Sequence, residues 1–95
     1  VEVASLALEM TITKADFLRL LPGATEQPFQ QDGKDFSQGS GPRGISLRIT
    51  ELPRLPLGAI NLDRLRIEIT FRGYTTREQN EFLARFRLQY HRGGG

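Results

Sequence analysis

The chain has 95 residues, 38% of them hydrophobic and 25% charged, which fits one globular domain with one core and not a disordered chain. The absence of cysteine excludes disulfides and thiolate chemistry, and no apolar run approaches the ~20 residues of a membrane-spanning helix. The net charge of +2 is unevenly spread: residues 1–42 hold three basic residues against six acids, and residues 43–95 hold ten arginines against five acids.

Glu2–Ile12 alternates. Ala4, Leu6, Leu8, Met10 and Ile12 share one parity, and Val3, Ser5, Ala7, Glu9 and Thr11 the other, which predicts a half-buried strand. The same stretch carries Glu2 and Glu9 and no basic start, so no secretory leader is expected, and a cytoplasmic location is. Thr13 is placed to cap a helix, with Asp16 three residues on. Ile12 and Phe17 flank the cap as a hydrophobic staple. Phe17, Leu18, Leu20 and Leu21 supply the apolar side, and Leu21-Pro22-Gly23 is expected to end this helix.

Residues 24–44 are polar and glycine-rich. Asp32-Gly33 signals a two-residue hairpin turn, with Gln31 opposite Lys34, Gln30 opposite Asp35 and Phe29 opposite Phe36. Residues 37–44 consist mostly of turn-forming residues and are expected to form a flexible loop.

Ile45, Leu47 and Ile49 alternate with Ser46, Arg48 and Thr50, predicting a strand over Ile45–Glu51. The segment Leu52–Leu62 carries Pro53 and Pro56, which argue against a central strand or a helix interior. It also carries Leu52, Leu55, Leu57, Ile60 and Leu62, too apolar a set for a solvated loop. It is expected to pack over the core edge; the alternative is an exposed patch that marks a partner surface, with Leu52, Leu55, Leu57 and Ile60 as its residues.

Leu65, Ile67, Ile69 and Phe71 alternate with Arg64, Arg66, Glu68, Thr70 and Arg72, predicting a strand over Asp63–Arg72 with an apolar and a charged face. Gly73 breaks the pattern. Thr75 and Glu78 form a capping box. Phe82, Phe86 and Tyr90, with Leu83 beside them, mark the apolar side of a helix that Gly93 ends. The apolar sides of this strand and this helix are expected to bury each other.

The fold class is therefore α+β: an antiparallel sheet of three long strands plus a small hairpin, with two helices packed on one face, in the order β-α-ββ-β-β-α. Residues 1–95 form a single domain, with the flexible loop 37–44 and a Gly tail at 93–95.

No catalytic constellation emerges. His91 is the single histidine, with no carboxylate at ligand spacing, so neither a metal nor a cofactor is expected. Ser37 or Ser40 as a nucleophile would need His91 as its base. Glu68 or Asp63 as acid–base groups would need a cleft. The open sheet face should present Arg48, Arg64, Arg66 and Arg72, a candidate anion or nucleic-acid surface that lacks the exposed aromatics on which bases stack. The bland reading of that face is a solvated surface with cross-strand ion pairs, such as Glu68 with Arg48.

Arg92-Gly93-Gly94 is a single unit of the Arg-Gly-Gly kind found in RNA-binding tracts. Gly93–Gly95 resembles the C-terminal Gly-Gly of small sulfur carriers and ubiquitin-like modifiers. That resemblance implies a carrier whose terminal carboxylate is adenylated, but it covers three residues and those proteins place a strand before the tail. The first expectation is a non-enzymatic module that binds a protein partner or itself. Nucleic-acid or anion binding is the alternative, and the carrier the third.

Overall fold

A computed structural model describes residues 3–25, 29–33, 35–40 and 42–92. The Gly tail at 93–95 and the start of the first predicted strand at Glu2 lie outside the described residues. The elements are β1 (Val3–Met10), α1 (Lys14–Ala24), β2 (Gln30–Asp32), β3 (Asp35–Ser40), β4 (Arg43–Leu57), β5 (Ile60–Arg72) and α2 (Thr76–Arg92). The strands form one antiparallel sheet in the order β1-β5-β4-β3-β2. The α+β class and the two helices on one face are as the periodicity predicts, while the small hairpin is no separate unit, because β3 joins the sheet along β4.

The core lies between the helices and one sheet face. Leu65, Ile67, Ile69 and Phe71 of β5 are buried, as are Ile45 and Leu47 of β4. In α2 the four-residue spacing stacks Phe82, Phe86 and Tyr90, whose adjacent ring centroids lie 5.7 and 4.8 Å apart. Phe82 meets Phe71 edge-on at 5.5 Å, tying α2 to β5. The capping box forms as expected: the Thr75 N–H donates to Glu78 Oε1 (2.9 Å) and the Glu78 N–H to Thr75 Oγ1 (3.1 Å).

Helix α1 begins as predicted, with the Asp16 N–H donating to Thr13 Oγ1 (3.1 Å) and with Ile12 and Phe17 both buried. It does not end at Leu21. Pro22 lies inside the helix, which continues to Ala24. A proline removes one backbone donor and crowds the preceding turn. Tertiary contacts offset that cost here, since Ala24 is fully buried and side chains of α2 serve the end of α1. Gln89 Nε2 donates to the Leu20 carbonyl (3.2 Å) and Arg85 Nη2 to the Thr25 carbonyl (3.4 Å).

The hairpin turn falls one residue further on than expected. Asp32 pairs with Asp35, Gln31 with Phe36 and Gln30 with Ser37, so Phe29 does not face Phe36. Gly33 (φ 66°) takes the first loop position rather than the second. Two-residue hairpin loops accept a left-handed glycine at either place. The Gln31 side-chain amide donates to the Gly33 carbonyl (3.1 Å).

The loop expected at 37–44 is largely strand. Ser37–Ser40 pair with Arg43–Ser46. Its polar composition reflects a position near the sheet margin: Ser37 shares the helix-free face, and Gln38, opposite Ile45, is buried.

Leu52–Leu62 does not pack over the core edge, and its prolines do not stop β4. The β1–β5 pairing extends only to Leu65 and the β3–β4 pairing only to Arg48. Beyond those points β4 and β5 continue as a two-stranded ribbon whose outer edges are free. Pro53 lies at an irregularity between Leu52 and Leu55, and Pro56 opposite Asn61. Prolines are tolerated on such edges and at bulges.

Candidate interaction surfaces

Three places gather polar or apolar groups at the surface: the helix-free sheet face, the β4–β5 ribbon, and a cleft where β4 begins beside α2.

On the helix-free face, register places Arg48 opposite Glu68, Arg66 opposite Glu9 and Thr50, Arg64 opposite Leu52, and Arg72 opposite Val3 and Gly44. The sequence therefore placed the four arginines on the correct face, but they do not form one cationic surface. Arg48 is bidentate on Asp35, with Nε to Oδ1 at 3.0 Å and Nη2 to Oδ2 at 3.2 Å. Asp35, rather than the expected Glu68, is its hydrogen-bonded partner, and the Arg48 guanidinium holds the Asp35 carboxyl below the usual range. Arg64 Nε donates to the Pro53 carbonyl (3.1 Å), and its Nη1 lies 3.8 Å from Glu9 Oε1. Arg66 is exposed. The aromatics of the described strands, Phe36 and Phe71, both have the parity of the helix-covered face. The base-stacking half of a nucleic-acid surface is thus missing from this face.

The ribbon extends the same face beyond the layered part of the fold. Leu55 pairs with Leu62 and Leu57 with Ile60, while Leu52 pairs with Arg64. Residues directly opposite each other share a face, so these five apolar side chains lie together. Leu55 is 39% exposed, Leu57 56% and Ile60 62%, while Leu52 and Leu62 are half-buried. On the opposite face of the ribbon, at the irregularity, Arg54 Nε donates to Asp63 Oδ1 (2.9 Å).

The cleft has a volume of about 560 Å³ and was not foreseen from sequence. Arg43 dominates it. Its Nη2 lies 2.8 Å from Glu78 Oε2, its Nη1 donates to the Gly73 carbonyl (3.1 Å), and its guanidinium carbon sits 3.9 Å from the centre of the Tyr74 ring. Glu78 in turn holds the Thr75 N–H, so one carboxylate caps α2 and anchors β4. The Arg43 guanidinium, and then the Thr75 backbone N–H, lower the Glu78 pKa to about 2. Arg43 is already bound on three sides, which makes this cluster a clamp between β4 and α2.

Comparison with protein-family models, with curated proteins and with solved structures gives no match.

The candidate nucleophile and base are not brought together. Ser37 lies on β3 with helix-free parity, whereas His91 lines a groove between α2 and β1 on the other side. Two strands separate β1 from β3, a lateral distance of roughly 14 Å at the usual strand spacing. The side chain of Ser40 lies outside the described residues. Among the described residues no three His, Asp or Glu side chains cluster as a metal site. No helix among them is long and apolar enough to cross a membrane.

Proposed function

We propose that the protein is a non-enzymatic interaction module that engages a protein partner, another protein or a second copy, through the apolar face of the β4–β5 ribbon. Cytoplasmic residence belongs to the same reading.

The observation that carries it is the exposure of Leu55, Leu57 and Ile60 on one face of a ribbon with no second layer behind it. Contiguous exposed apolar side chains rimmed by polar groups are characteristic of interaction sites. The polar neighbours on this face are Arg64, opposite Leu52, and then Arg66 and Thr50. Pro53 and Pro56 offer no N–H, which disfavours strand addition along β4. A partner would therefore meet the side-chain face of the ribbon.

A photo-crosslinking residue at position 57, in the host, tests this. Crosslinked species of defined mass that vanish on Ile60→Asp support the reading. Equal crosslinking from position 57 and from exposed Arg77 would count against it. If instead the purified protein bound RNA or DNA with an affinity that fell steeply with salt and was lost on Arg66→Glu, the arginine face would be the functional surface.

A further inference from the structure

We infer that β1 pairs antiparallel with β1 of a second copy, with Ala7 on the twofold axis, joining two sheets into one of ten strands. This interface is separate from the ribbon and independent of what the ribbon binds.

Strand β1 is an outer strand that pairs only with β5, so the backbone N–H and C=O groups along its other side have no strand partner. Such edges recruit further strands unless something blocks them. The other free edges of this sheet are blocked or short: the part of β5 beyond its pairing with β1 spans only residues 60–64. The free part of β4 carries Pro53, Pro56 and a register irregularity, and β2 has only three residues. Strand β1 has eight residues, Val-Ala-Ser-Leu-Ala-Leu-Glu-Met, with no proline, no lysine and one charge.

The layer beneath it is also unfinished. Leu6, Leu8 and Met10 point toward the helices yet stay only partly buried. Leu8 and Met10 line a groove of about 360 Å³ with Phe86 and Tyr90 of α2, and Glu9, Thr11, Arg87 and His91 complete its rim. The single copy thus ends its apolar layer at an open margin.

The sequence of β1 is self-complementary when the axis passes through Ala7. Residues opposite each other must share parity, or an apolar side chain would meet water across from a core one. With the axis at Ala7, Leu6 faces the second copy's Leu8, and Ala4 faces its Met10, small against large. On the helix-free side Ser5 faces the second copy's Glu9, so the one carboxylate meets a hydroxyl. An axis at Glu9 would set two carboxylates against each other. An axis at Leu6 leaves Met10 without a described partner and sets Glu9 against Val3. The Ala7 register keeps all four helices on one side of the joined sheet, because a twofold perpendicular to the sheet preserves its faces.

Position 7 is exposed in the single copy and would meet itself in the pair, so charge there tests the axis directly. Sedimentation equilibrium should show a dimer for the unaltered chain and monomers for Ala7→Asp and Ala7→Lys, each folded by circular dichroism. An equimolar mixture of the two variants should dimerise again. Ala7→Cys should give a disulfide-linked dimer under mild oxidation, whereas Ala59→Cys at the ribbon tip should not. A monomer at every concentration, or no linkage enrichment at position 7 over position 59, overturns the inference. Association that persists in both charged variants but is lost on Leu57→Asp would overturn it while leaving the ribbon reading intact.

Discussion

The Tyr90 hydroxyl donates to the Phe17 carbonyl at 2.9 Å while its ring stacks on that of Phe17, with centroids 4.8 Å apart and planes 7° from parallel. One residue of α2 therefore fixes α1 by both its apolar body and its polar tip. Replacing Tyr90 by Phe keeps the stack and removes the hydrogen bond. The expected loss is about 1 kcal/mol, read as a lower urea midpoint at unchanged slope. Burial also pushes the Tyr90 phenol well above its ordinary value. The folded state then holds this proton where the unfolded chain releases it, so stability is full below about pH 10 and falls as pH rises further. Thermal melts across the alkaline range should show this decline weakened in Tyr90→Phe.

Glu78 governs the acid side. Its pKa of about 2 in the fold lies below the ordinary value of 4.5. The stability it contributes is present above the ordinary value and is lost as pH falls through about 2. Glu78→Gln can still accept the Thr75 N–H but cannot pair with Arg43 as an anion. Melting temperatures measured from pH 5 to about pH 2 should therefore fall less steeply in this variant than in the unaltered chain.

Two left-handed glycines separate backbone strain from steric clash. Gly58 (φ 59°) has no atom within 4 Å of where a Cβ would stand, whereas at Gly73 (φ 69°) the Pro42 carbonyl oxygen lies 2.5 Å from that point. Gly58→Ala should cost about 1 kcal/mol from the φ alone. Gly73→Ala should cost roughly 3 kcal/mol, since the turn after β5 must also move. Chemical denaturation of the two variants checks the difference.

Truncating leucine or isoleucine should divide core from ribbon. Ile67 is fully buried and Leu57 is 56% exposed. Ile67→Ala is expected to lose 2–5 kcal/mol, roughly, from the cavity it leaves. Leu57→Ala should change the stability of the monomer by less than about 0.5 kcal/mol. Equal losses in the two variants would mean that the ribbon is structurally coupled to the core.

Period-two and period-four patterns made Ile67, Phe71, Phe86 and Tyr90 legible as one core, and Thr13, Thr75 and Glu78 legible as caps. Those signals are local, and the structure keeps them. Pro22 misled because what sustains α1 beyond it comes from Gln89 and Arg85, more than 60 residues away. The ribbon was obscured for a related reason. Its exposure depends on β1 and β3 stopping at Leu65 and Arg48, which the composition of 52–62 cannot reveal. The face of Arg48, Arg64, Arg66 and Arg72 followed from parity alone. The bidentate tie between Arg48 and Asp35 needed the pairing of β3 with β4. The clamp around Arg43 was invisible because its acid and its aromatic ring lie on the far side of β5 in the chain.

The pairing of β1 with β5 joins Val3 to Arg72, so the earliest of these five strands to be synthesised must wait for the latest. Until β5 has emerged, Leu6, Leu8 and Met10 travel on a nascent chain with no sheet to join. Such distant closure slows folding and lengthens the time during which an early apolar segment is open to chaperones or to a neighbouring chain. The β4–β5 hairpin, built from adjacent sequence, is the natural first assembly, and β1 completes the sheet from outside.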